Sequence, residues 1–501
     1  MRIALVTEGS YPFSHGGVSV WCDQLIRGVS EHDFDIVAMT GTGAERRLWQ
    51  MPTNVRSVRA VPLWGPVRKL PATRLSMVRG PGPGPSGRPA RRGGDAVVNC
   101  GLNLGRALVE PDLRLAGPWF RAALQDWARL APSQDVEAAL LSPAVITVLM
   151  DGWSSDELAA HWGGRERGLP TVGDAVTATR LLAHLLRPLE LQPPEADIVH
   201  LVSNGIAGLT GLAARWWHGT PFVLSEHGVY LRERYLSFGR SAYSRPVKWL
   251  LLRFYRLLTS AVYAEAALVA PGNVYNQRWE LWDGVPDSAI RTVYNGVDPH
   301  EFAAVEAEPK VPTISWVGRI DPIKGLETLI NAFALVRRQV PESRLRIFGS
   351  VPAGNEDYRA RLEELTLHLG VGAAVTFEGR VESARDAYAA GHVVALASIS
   401  EGFPYTVIEA MSCGRATVST DVGGVAEAVG DAGVIVPPRN PQAFASACVQ
   451  LLQDAAERGR LARLARERVI DLFTLEQSLN AFRRIYSDVA ADADRSRKVS
   501  A

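Results

Sequence analysis

Short runs rich in β-branched residues recur along the 501-residue chain, with helix-length segments between them. In the first half these runs cover residues 3–7, 35–39, 198–202, 222–225 and 267–270. After Asn295 the pattern restarts, with runs at 313–317, 344–348, 374–377, 393–397, 416–419 and 433–436. Apolar runs separated by helical segments are typical of parallel strands in βαβ units. The sequence therefore predicts an α/β protein with two doubly wound, Rossmann-like domains.

The first predicted domain carries a long interruption. Nine of the fourteen residues 81–94 are Gly or Pro, which favours an exposed linker over a regular element. Residues 96–191 are rich in Ala, Leu, Arg and Trp and contain few β-like runs. We therefore expect a largely helical insertion over about residues 80–195. The last residues, 490–501, are small and polar and are expected to fray.

Composition narrows the classes of partner. With 54 basic and 53 acidic side chains the formal charge is +1, so no overall field attracts nucleic acid or an anionic membrane. The four cysteines form no C-x-x-C pair, which predicts neither a zinc site nor a disulfide framework. Glu8 ends the first apolar run too early for a signal peptide, and the longest uncharged stretch, 198–214, is too short and polar to span a bilayer. These features predict a soluble cytoplasmic protein.

The loop after the first predicted strand contains two adjacent glycines, Gly16 and Gly17, just before a predicted helix at 18–28. Glycines there let a phosphate approach the backbone, and the free amides at a helix start complement its charge. A plain turn would also explain the pair. G-x-G-x-x-G is absent from this loop, which removes the usual support for a dinucleotide-binding oxidoreductase.

A second loop, from Gly318 to Gly325, follows the predicted strand at 313–317 and carries Arg319 and Lys324. Because ligands of open α/β sheets bind beyond the carboxyl ends of the strands, both cations are placed to neutralise one diphosphate. A solvated basic loop is the alternative, and this motif alone favours neither interpretation.

A third stretch, after the predicted strand at 393–397, contains Glu401 and Glu409 with seven residues between them. Pro404 suits the first turn of a helix, which would leave Glu401 in the preceding loop and place Glu409 more than one turn inside. The two carboxylates would then line one pocket at different depths and accept hydrogen bonds from sugar hydroxyls. The alternatives are a helix N-terminal charge for Glu401 and a solvated side chain for Glu409.

Smaller motifs have simple structural explanations. His227 follows the predicted strand at 222–225 and could be a satisfied structural histidine. Asn295-Gly296 is a common turn pair. Two Asp-x-Asp tripeptides, at 33–35 and 492–494, could suggest a metal-bound nucleotide sugar. The first lies at a helix-to-strand turn and the second in the polar tail, so we predict that both are solvated charges and that no metal is bound.

Taken together, these motifs resemble the retaining nucleotide-sugar glycosyltransferases of family four. The Gly-Gly pair, the Arg319 and Lys324 loop, Asn295-Gly296-Val297-Asp298 and the two glutamates follow the family's order across nearly the whole chain. The resemblance implies the GT-B fold, in which two Rossmann-like domains face each other across a cleft. It implies an acceptor domain at 1–297, a donor domain at 298–472 and, at 473–501, a helix that crosses back to the first domain and a flexible tail.

Within this family the N-terminal half is similar to the PelF-type enzymes of Pel polysaccharide systems. The similar stretches are Glu8-Gly9-Ser10-Tyr11-Pro12, Gly16-Gly17-Val18-Ser19, Trp21 and the run from Ser225-Glu226-His227-Gly228 to Arg234. In the C-terminal half, the segments at 321–325 and 398–401 also resemble these enzymes, whereas those at 402–404 and 408–411 resemble the general family. The resemblance implies a cytoplasmic enzyme of polysaccharide biosynthesis, held at the inner membrane face through synthase proteins.

The resemblance also implies roles for individual residues. The catalytic set is Arg319, Lys324, Glu401 and His227. The donor-binding set is Gly16, Gly17, Gly318, Gly379, Arg380 and Glu409. The two cations and the Gly16 and Gly17 amides would hold the diphosphate, Glu401 and His227 would contact the transferred sugar, Glu409 the ribose, and the backbone at Gly379 and Arg380 the base. Retention would need neither a protein nucleophile nor a distinct general base, because the leaving phosphate helps to deprotonate the acceptor. No metal cofactor is expected.

The implied donor is a UDP-sugar, with UDP-glucose first and UDP-N-acetylhexosamine next, while ADP- and GDP-sugars stay open. The implied acceptor is a glycan or another hydroxyl compound. Two other functions use the same architecture. One is a nucleotide-sugar 2-epimerase, which needs no acceptor. The other is a non-catalytic partner that binds a nucleotide or glycan within a polysaccharide synthase complex.

Overall fold

The computed structural model describes residues 1–64, 92–160, 169–239 and 241–500. The chain divides into two compact units. Unit 1 comprises Met1–Ala270, Trp279–Arg291 and Arg484–Ala501, and unit 2 comprises Pro271–Arg278 and Thr292–Arg483. The predicted Gly/Pro linker lies outside the described residues, apart from residues 92–94, which begin a helix.

Unit 1 is built on a six-stranded sheet in the order β3-β2-β1-β4-β5-β6. The strands are β1 (Arg2–Glu8), β2 (Asp33–Thr40), β3 (Val55–Pro62), β4 (Ile198–Leu201), β5 (Phe222–Glu226) and β6 (Leu268–Pro271). β1 pairs in parallel with both β2 and β4, so the strand order reverses between β1 and β4. Every residue of β4 and β5 is buried, and most of them are apolar, as expected for strands covered on both faces.

Helices cover the sheet of unit 1 and form the predicted insertion. They are α1 (Gly17–Gly28), α2 (Arg92–Val109), α3 (Leu113–Leu130), α4 (Val136–Leu140), α5 (Pro143–Ser154), α6 (Asp156–Ala159), α7 (Val172–Leu185), α8 (Ala207–His218), α9 (Tyr230–Gly239), α10 (Arg245–Glu265) and α11 (Val274–Trp282). Helices α2 to α7 lie between β3 and β4, which confirms the helical insertion. Its side chains, such as Leu104 and Trp127, share one hydrophobic core with the sheet residues Val6 and Leu201.

Unit 2 has a second six-stranded sheet, in the order β12-β11-β10-β7-β8-β9. Its strands are β7 (Thr313–Val317), β8 (Arg344–Phe348), β9 (Val375–Gly379), β10 (Val393–Leu396), β11 (Ala416–Thr420) and β12 (Val434–Val436). All the neighbouring strands pair in parallel. Its helices are α12 (Leu326–Gln339), α13 (Glu356–His368), α14 (Ala384–Ala389), α15 (Tyr405–Ser412), α16 (Val425–Val429), α17 (Pro441–Gln453) and α18 (Ala455–Leu472). Two doubly wound parallel sheets with flanking helices confirm the predicted fold class.

The last helix is α19 (Leu475–Ser500), and it corrects the prediction that the last residues fray. The residues expected to fray continue this helix to Ser500, and Asp492 and Asp494 pair along it with Arg495 and Arg497. Residues from Arg484 onward belong to unit 1, where the hydroxyl of Tyr486 lies 2.6 Å from Nδ1 of His200. Within the described ranges, no helix has both the length and the apolar character needed to cross a bilayer.

Candidate functional site

In unit 1, three loops meet at the carboxyl end of the sheet, at the point where the strand order reverses. They follow β1, β4 and β5, and they line a cavity of about 250 Å³. A reversal of strand order separates neighbouring loops and leaves a crevice, which is where open α/β sheets bind ligands. The cavity is lined by Glu8, Ser10, Val18, Val202, Ser203, His227, Gly228, Tyr230, Glu233 and Arg234.

The loop after β1 is held by hydrogen bonds from side chains to its own backbone. Thr7 Oγ1 donates to the carbonyl of Tyr11 over 2.7 Å, and Ser14 Oγ donates to the carbonyl of Gly9 over 3.1 Å. Trp49 Nε1 donates to the carbonyl of Ser14 over 2.9 Å. Gly9 has a φ of +60°, which favours glycine at the turn out of the strand. These bonds fix the path of the chain toward α1.

Helix α1 begins at Gly17, one residue before its predicted start, and no side chain caps its first turn. Gly16 precedes the helix in extended backbone, and a Cβ built on it would meet no atom within 4 Å. Amides at an uncapped helix start, next to open space, suit an anion or a polar ligand. The assignment of Gly16 and Gly17 to the donor diphosphate stays a prediction.

His227 lines the unit 1 cavity and is half-buried. Its ring packs edge-on against Trp21, with ring centroids 4.6 Å apart. Burial lowers the pKa of His227 to about 4, so the imidazole is neutral at pH 7. Within the described part of the chain, Nε2 of this ring is buried without a hydrogen-bond partner. A neutral ring with an unused nitrogen can exchange a hydrogen bond with a ligand.

Glu8, Tyr230 and Arg234 belong to the sequence motifs, but the sequence predicted no role for them. The structure brings them together on one side of the cavity. Tyr230 Oη donates to Glu8 Oε1 over 2.6 Å, and the amide of Ile206 donates to Glu8 Oε2 over 3.0 Å. The guanidinium of Arg234 lies 4.7 Å from the centre of the Tyr230 ring. The sequence signal for this cluster is Glu8, a carboxylate at the end of the first strand of a doubly wound sheet.

In unit 2, backbone segments at the carboxyl end of the sheet approach so closely that glycine is required. A Cβ on Gly423 would lie 1.9 Å from the carbonyl oxygen of Glu401, and one on Gly325 would lie 2.2 Å from that of Ala397. Gly423 and Gly325 have φ values of +59° and +65°. The amide of Ile399 also donates to the carbonyl of Ile323 over 2.8 Å. The loops after β7 and β10, on the two sides of this sheet's reversal point, are thereby held in contact.

The contact between these loops brings Lys324 and Glu401 together. Lys324 Nζ lies 2.7 Å from Glu401 Oε1, and the two side chains are only 19% and 12% exposed. Ser398, which sequence reasoning did not select, donates to the same carboxylate oxygen over 2.5 Å. An ammonium group has three donors, and Glu401 accepts from one of them. Lys324 and Glu401, which the sequence selected separately, thus form a direct ion pair at the edge of the sheet.

The remaining residues of the predicted donor set lie on the same edge with different surroundings. Arg319 and Arg380 are exposed. The amide of Gly318 donates to the carbonyl of Phe348 over 3.0 Å, so it is already used within the fold. Gly379 ends β9 with a φ of +74°, and its carbonyl accepts from the amide of Gly349, in the loop after β8, over 2.7 Å. The assignment of Arg319 and Lys324 to one shared diphosphate stays a prediction.

Glu409 lies in the second turn of α15, which begins at Tyr405 with Pro404 as its N-cap residue. The sequence predicts Pro404 within the first turn of this helix, whereas in the structure Pro404 lies immediately before that turn. Tyr388 Oη donates to Glu409 Oε2 over 2.5 Å. Burial raises the pKa of Glu409 to about 7, although the bond from Tyr388 acts in the opposite direction. Tyr388 could not be found from the sequence because nothing in its own segment marks it.

Two of the smaller motifs are structural. Nδ2 of Asn295 donates to the carbonyl of Phe403 over 3.2 Å, and a Cβ on Gly296 would lie 2.5 Å from the carbonyl oxygen of Thr474. The first Asp-x-Asp tripeptide begins β2, and the structure corrects the prediction that both of its carboxylates are solvated. Asp35 is not solvated, because it is 6% exposed and bonded to Arg2 and Ser57.

Two doubly wound sheets, each with a crevice at its reversal point and the second with a Lys–Glu pair there, form an α/β protein with the layout of a ligand-binding protein. Residues 311–454 match the family described as glycosyl transferases group 1, and residues 1–288 match DUF3492, a domain of unknown function. D-inositol 3-phosphate glycosyltransferase of Saccharomonospora viridis is 32% identical over 323 residues, which are 60% of this chain and 72% of that protein. The chain belongs to the glycosyl transferases group 1, with an N-terminal half of the DUF3492 family, and is a glycosyltransferase.

Solved structures share the fold. Sucrose-phosphate synthase of Thermosynechococcus elongatus superposes with a TM-score of 0.61 at 19% identity, covering 98% of this chain and 99% of that one. HepE of Anabaena, in complex with UDP, superposes with a TM-score of 0.61 at 14% identity, covering 97% of this chain and all of that one. At these identities the likeness shows the GT-B fold alone.

Proposed function

We propose that this chain is a retaining glycosyltransferase that moves a hexose from a UDP-sugar to a hydroxyl acceptor. UDP-glucose is the first candidate donor and UDP-N-acetylhexosamine the second. The observation that carries the proposal is the Lys324–Glu401 ion pair at the reversal point of the unit 2 sheet. The bound UDP of HepE, a protein of the same fold, supports the choice of base.

Each residue of the proposed donor site has a chemical task. The diphosphate gains negative charge as the bond to the sugar breaks, and the Lys324 ammonium and Arg319 guanidinium stabilise that charge. Glu401 holds the ammonium in place and accepts from the sugar hydroxyls. Glu409 accepts from the ribose hydroxyls. Because the leaving phosphate can take the acceptor proton, no protein nucleophile or distinct general base is needed. The two cations would neutralise the diphosphate, so no metal ion is needed for that task.

The proposed setting is polysaccharide biosynthesis, in agreement with the PelF-type resemblance of the N-terminal half. Unit 2 would bind the donor and unit 1 the acceptor, at the cytoplasmic face of the membrane and beside synthase proteins. A glycan or another hydroxyl compound is the acceptor class.

The test is isothermal titration of the purified protein with UDP, ADP and GDP, with and without magnesium. We expect UDP to bind most tightly and its affinity to be the same without magnesium. UDP release from UDP-glucose is then measured with a mixed panel of sugars, and NMR of the product shows whether the anomeric configuration is retained. Failure of all three nucleotides to bind contradicts the proposal. Conversion of the UDP-sugar itself, without an acceptor, would identify an epimerase.

A further inference from the structure

Glu226, the last residue of β5, directly precedes His227, and its carboxyl accepts hydrogen bonds from two helices. The backbone amide of Tyr230, the first residue of α9, donates to this carboxyl. Tyr263 Oη, from α10, donates to Glu226 Oε2 over 2.6 Å. Glu226 is only 2% exposed, so both bonds form away from water. One carboxyl therefore joins the two ends of the turn that carries His227 and fastens that turn to α10.

A second buried carboxyl, that of Glu280 on α11, lies against the first. Glu280 has no exposed surface, and no N–H or O–H donor within the described ranges reaches its oxygens. Its side chain is in hydrogen-bonding contact with the carboxyl of Glu226. Two ionised carboxylates have no hydrogen to share, so one member of this pair must carry a proton.

The surroundings keep a proton in the pair at pH 7 and favour Glu280 as its carrier. Burial raises the pKa of both carboxyls, and the charge of Glu226 raises the pKa of Glu280 further. The hydrogen bonds from Glu280, Tyr263 and the Tyr230 amide act on the pKa of Glu226 in the opposite direction. Glu226 is therefore the acceptor of the pair, and a protonated Glu280 is its donor.

The other charged groups around the pair lie on α9, α10 and α11. Asp283 of α11 raises the pKa of Glu226, while Arg256 of α10 lowers that of Asp283. Arg232 of α9 lines the same cavity as Glu226 and Arg256. The two arginines stay charged, and burial keeps Tyr263 protonated by raising its pKa well above the usual value. The carboxyl pair is thus the part of this cluster that gains charge as pH rises above neutral.

Resting on the proposed function, we infer that Glu226, held by Tyr263 and by a protonated Glu280, is a positioning residue that fixes His227 beside the transferred sugar. Glu226 does not line the cavity at the reversal point, whereas His227 and Tyr230 do. The carboxyl acts through the turn between these two residues. When the pair loses its proton, two buried carboxylates repel each other and the turn loses one of its supports.

The experiment follows UDP release from UDP-glucose, with an accepting sugar, from about pH 6 to about pH 9.5. We expect wild-type kcat to fall at the alkaline end, because the pair loses its proton as pH rises through its raised pKa. Glu280→Gln should remove this fall, since the amide group donates to Glu226 at every pH. Tyr263→Phe should lower kcat about tenfold at every pH and leave the affinity for UDP unchanged.

Two exposed residues of unit 1 supply the matched controls. Glu137→Gln, on α4, and Tyr243→Phe should both keep the wild-type profile. The same alkaline fall in Glu280→Gln and wild type overturns the inference. A wild-type profile without an alkaline fall, or an unchanged kcat in Tyr263→Phe, overturns it as well.

Hydrogen exchange separates this inference from the proposed function. Mass spectrometry follows the backbone amides of residues 226–234 in the wild type and in Tyr263→Phe, with no substrate present. We expect faster exchange there in the variant, while residues 356–368 of α13 keep their wild-type rate. Equal exchange of residues 226–234 in both proteins overturns the inference. Absence of UDP binding in the wild type contradicts the proposed function instead, and the exchange experiment still decides whether Glu226 holds the turn.

Discussion

At the scale of single residues, the sequence selected Lys324 and Glu401 as candidate site residues of unit 2 but did not predict that they pair. Lys324 and Glu401 are 77 positions apart and meet through loops that follow two different strands. Their presence after strands was visible, because motif spacing relates each residue to its own strand. Their contact, and the support from Ser398, depend on the close approach of Gly325 and Gly423 to other backbone segments. That approach is a tertiary property, which a local pattern does not contain.

Lys324→Ala tests the electrostatic role of the ammonium group. We expect kcat for UDP release to fall about 100-fold, because removal of one preorganised donor from a charge-stabilising site typically has that effect. The measurement is steady-state kinetics with UDP-glucose and an accepting sugar, with circular dichroism to check folding. Lys310→Ala, at an exposed position of the same unit, is the control and should retain wild-type rates. A loss smaller than about tenfold would show that Lys324 does not stabilise the leaving group.

The buried carboxyl of Glu409 makes the stability of unit 2 depend on pH. Its pKa is about 7 in the folded chain and near 4.5 when unfolded, so the folded state binds the proton more tightly. The resulting stability is fully present below pH 4.5 and is lost as pH rises through 7. Relative to Glu409→Gln, the wild type should therefore lose about 3 kcal/mol between pH 4.5 and pH 8. Urea unfolding of both proteins at several pH values measures this difference.

The exposed Glu364→Gln variant supplies the control for that measurement, since it changes the same atoms on the surface of α13. Its stability should follow the wild-type curve at every pH. A constant difference between wild type and Glu409→Gln across the range would mean that the carboxyl of Glu409 titrates normally.

At the scale of elements, apolar strands were predictable and the polar edge strand was not. β4 and β5 are buried throughout, so their runs of apolar residues appear in the sequence. β3 lies at the edge of its sheet and carries Arg56, Ser57 and Arg59 among half-buried residues, which gives no apolar run. The end of α19 was misjudged for a related reason. Residues 490–501 are small and polar, but their Ala, Arg and Lys are good helix formers, and Asp492 and Arg495 pair along the helix.

Gly423→Ala tests whether the close contact between loops holds the Lys324–Glu401 pair in place. The new methyl group would collide with the backbone carbonyl of Glu401, so the loop that carries Glu401 must shift, and we expect its ion pair with Lys324 to be disturbed. We expect lower thermal stability and a loss of about tenfold or more in UDP release, since small displacements of catalytic groups have large effects. Gly370→Ala is the matched control. Gly370 has a similar φ of +69°, but its Cβ would meet nothing within 4 Å, so the variant should lose only about 1 kcal/mol of stability and no activity.

At the scale of the whole molecule, each unit has a hydrophobic core of its own. The unit 1 core includes Phe120, Leu201 and Phe254, and the unit 2 cores include Trp316, Phe333 and Met411. The repeated strand and helix pattern made two doubly wound units predictable. The assignment of the end of α19 to unit 1 rests on contacts such as that between Tyr486 and His200, which are 286 positions apart. A pairing over that distance leaves no local trace in the sequence.

Separate cores predict two calorimetric transitions that respond to different changes. UDP, whose proposed contacts lie mainly in unit 2, should raise one midpoint, because a ligand at 100 times its Kd stabilises the folded form by about 2.7 kcal/mol. Tyr486→Phe removes the 2.6 Å hydrogen bond to His200 and should lower the other midpoint, in keeping with a cost of about 1–3 kcal/mol. Tyr243→Phe, at an exposed tyrosine of unit 1, should change neither. One transition that moves with both UDP and Tyr486→Phe would mean that the two cores unfold as a single cooperative unit.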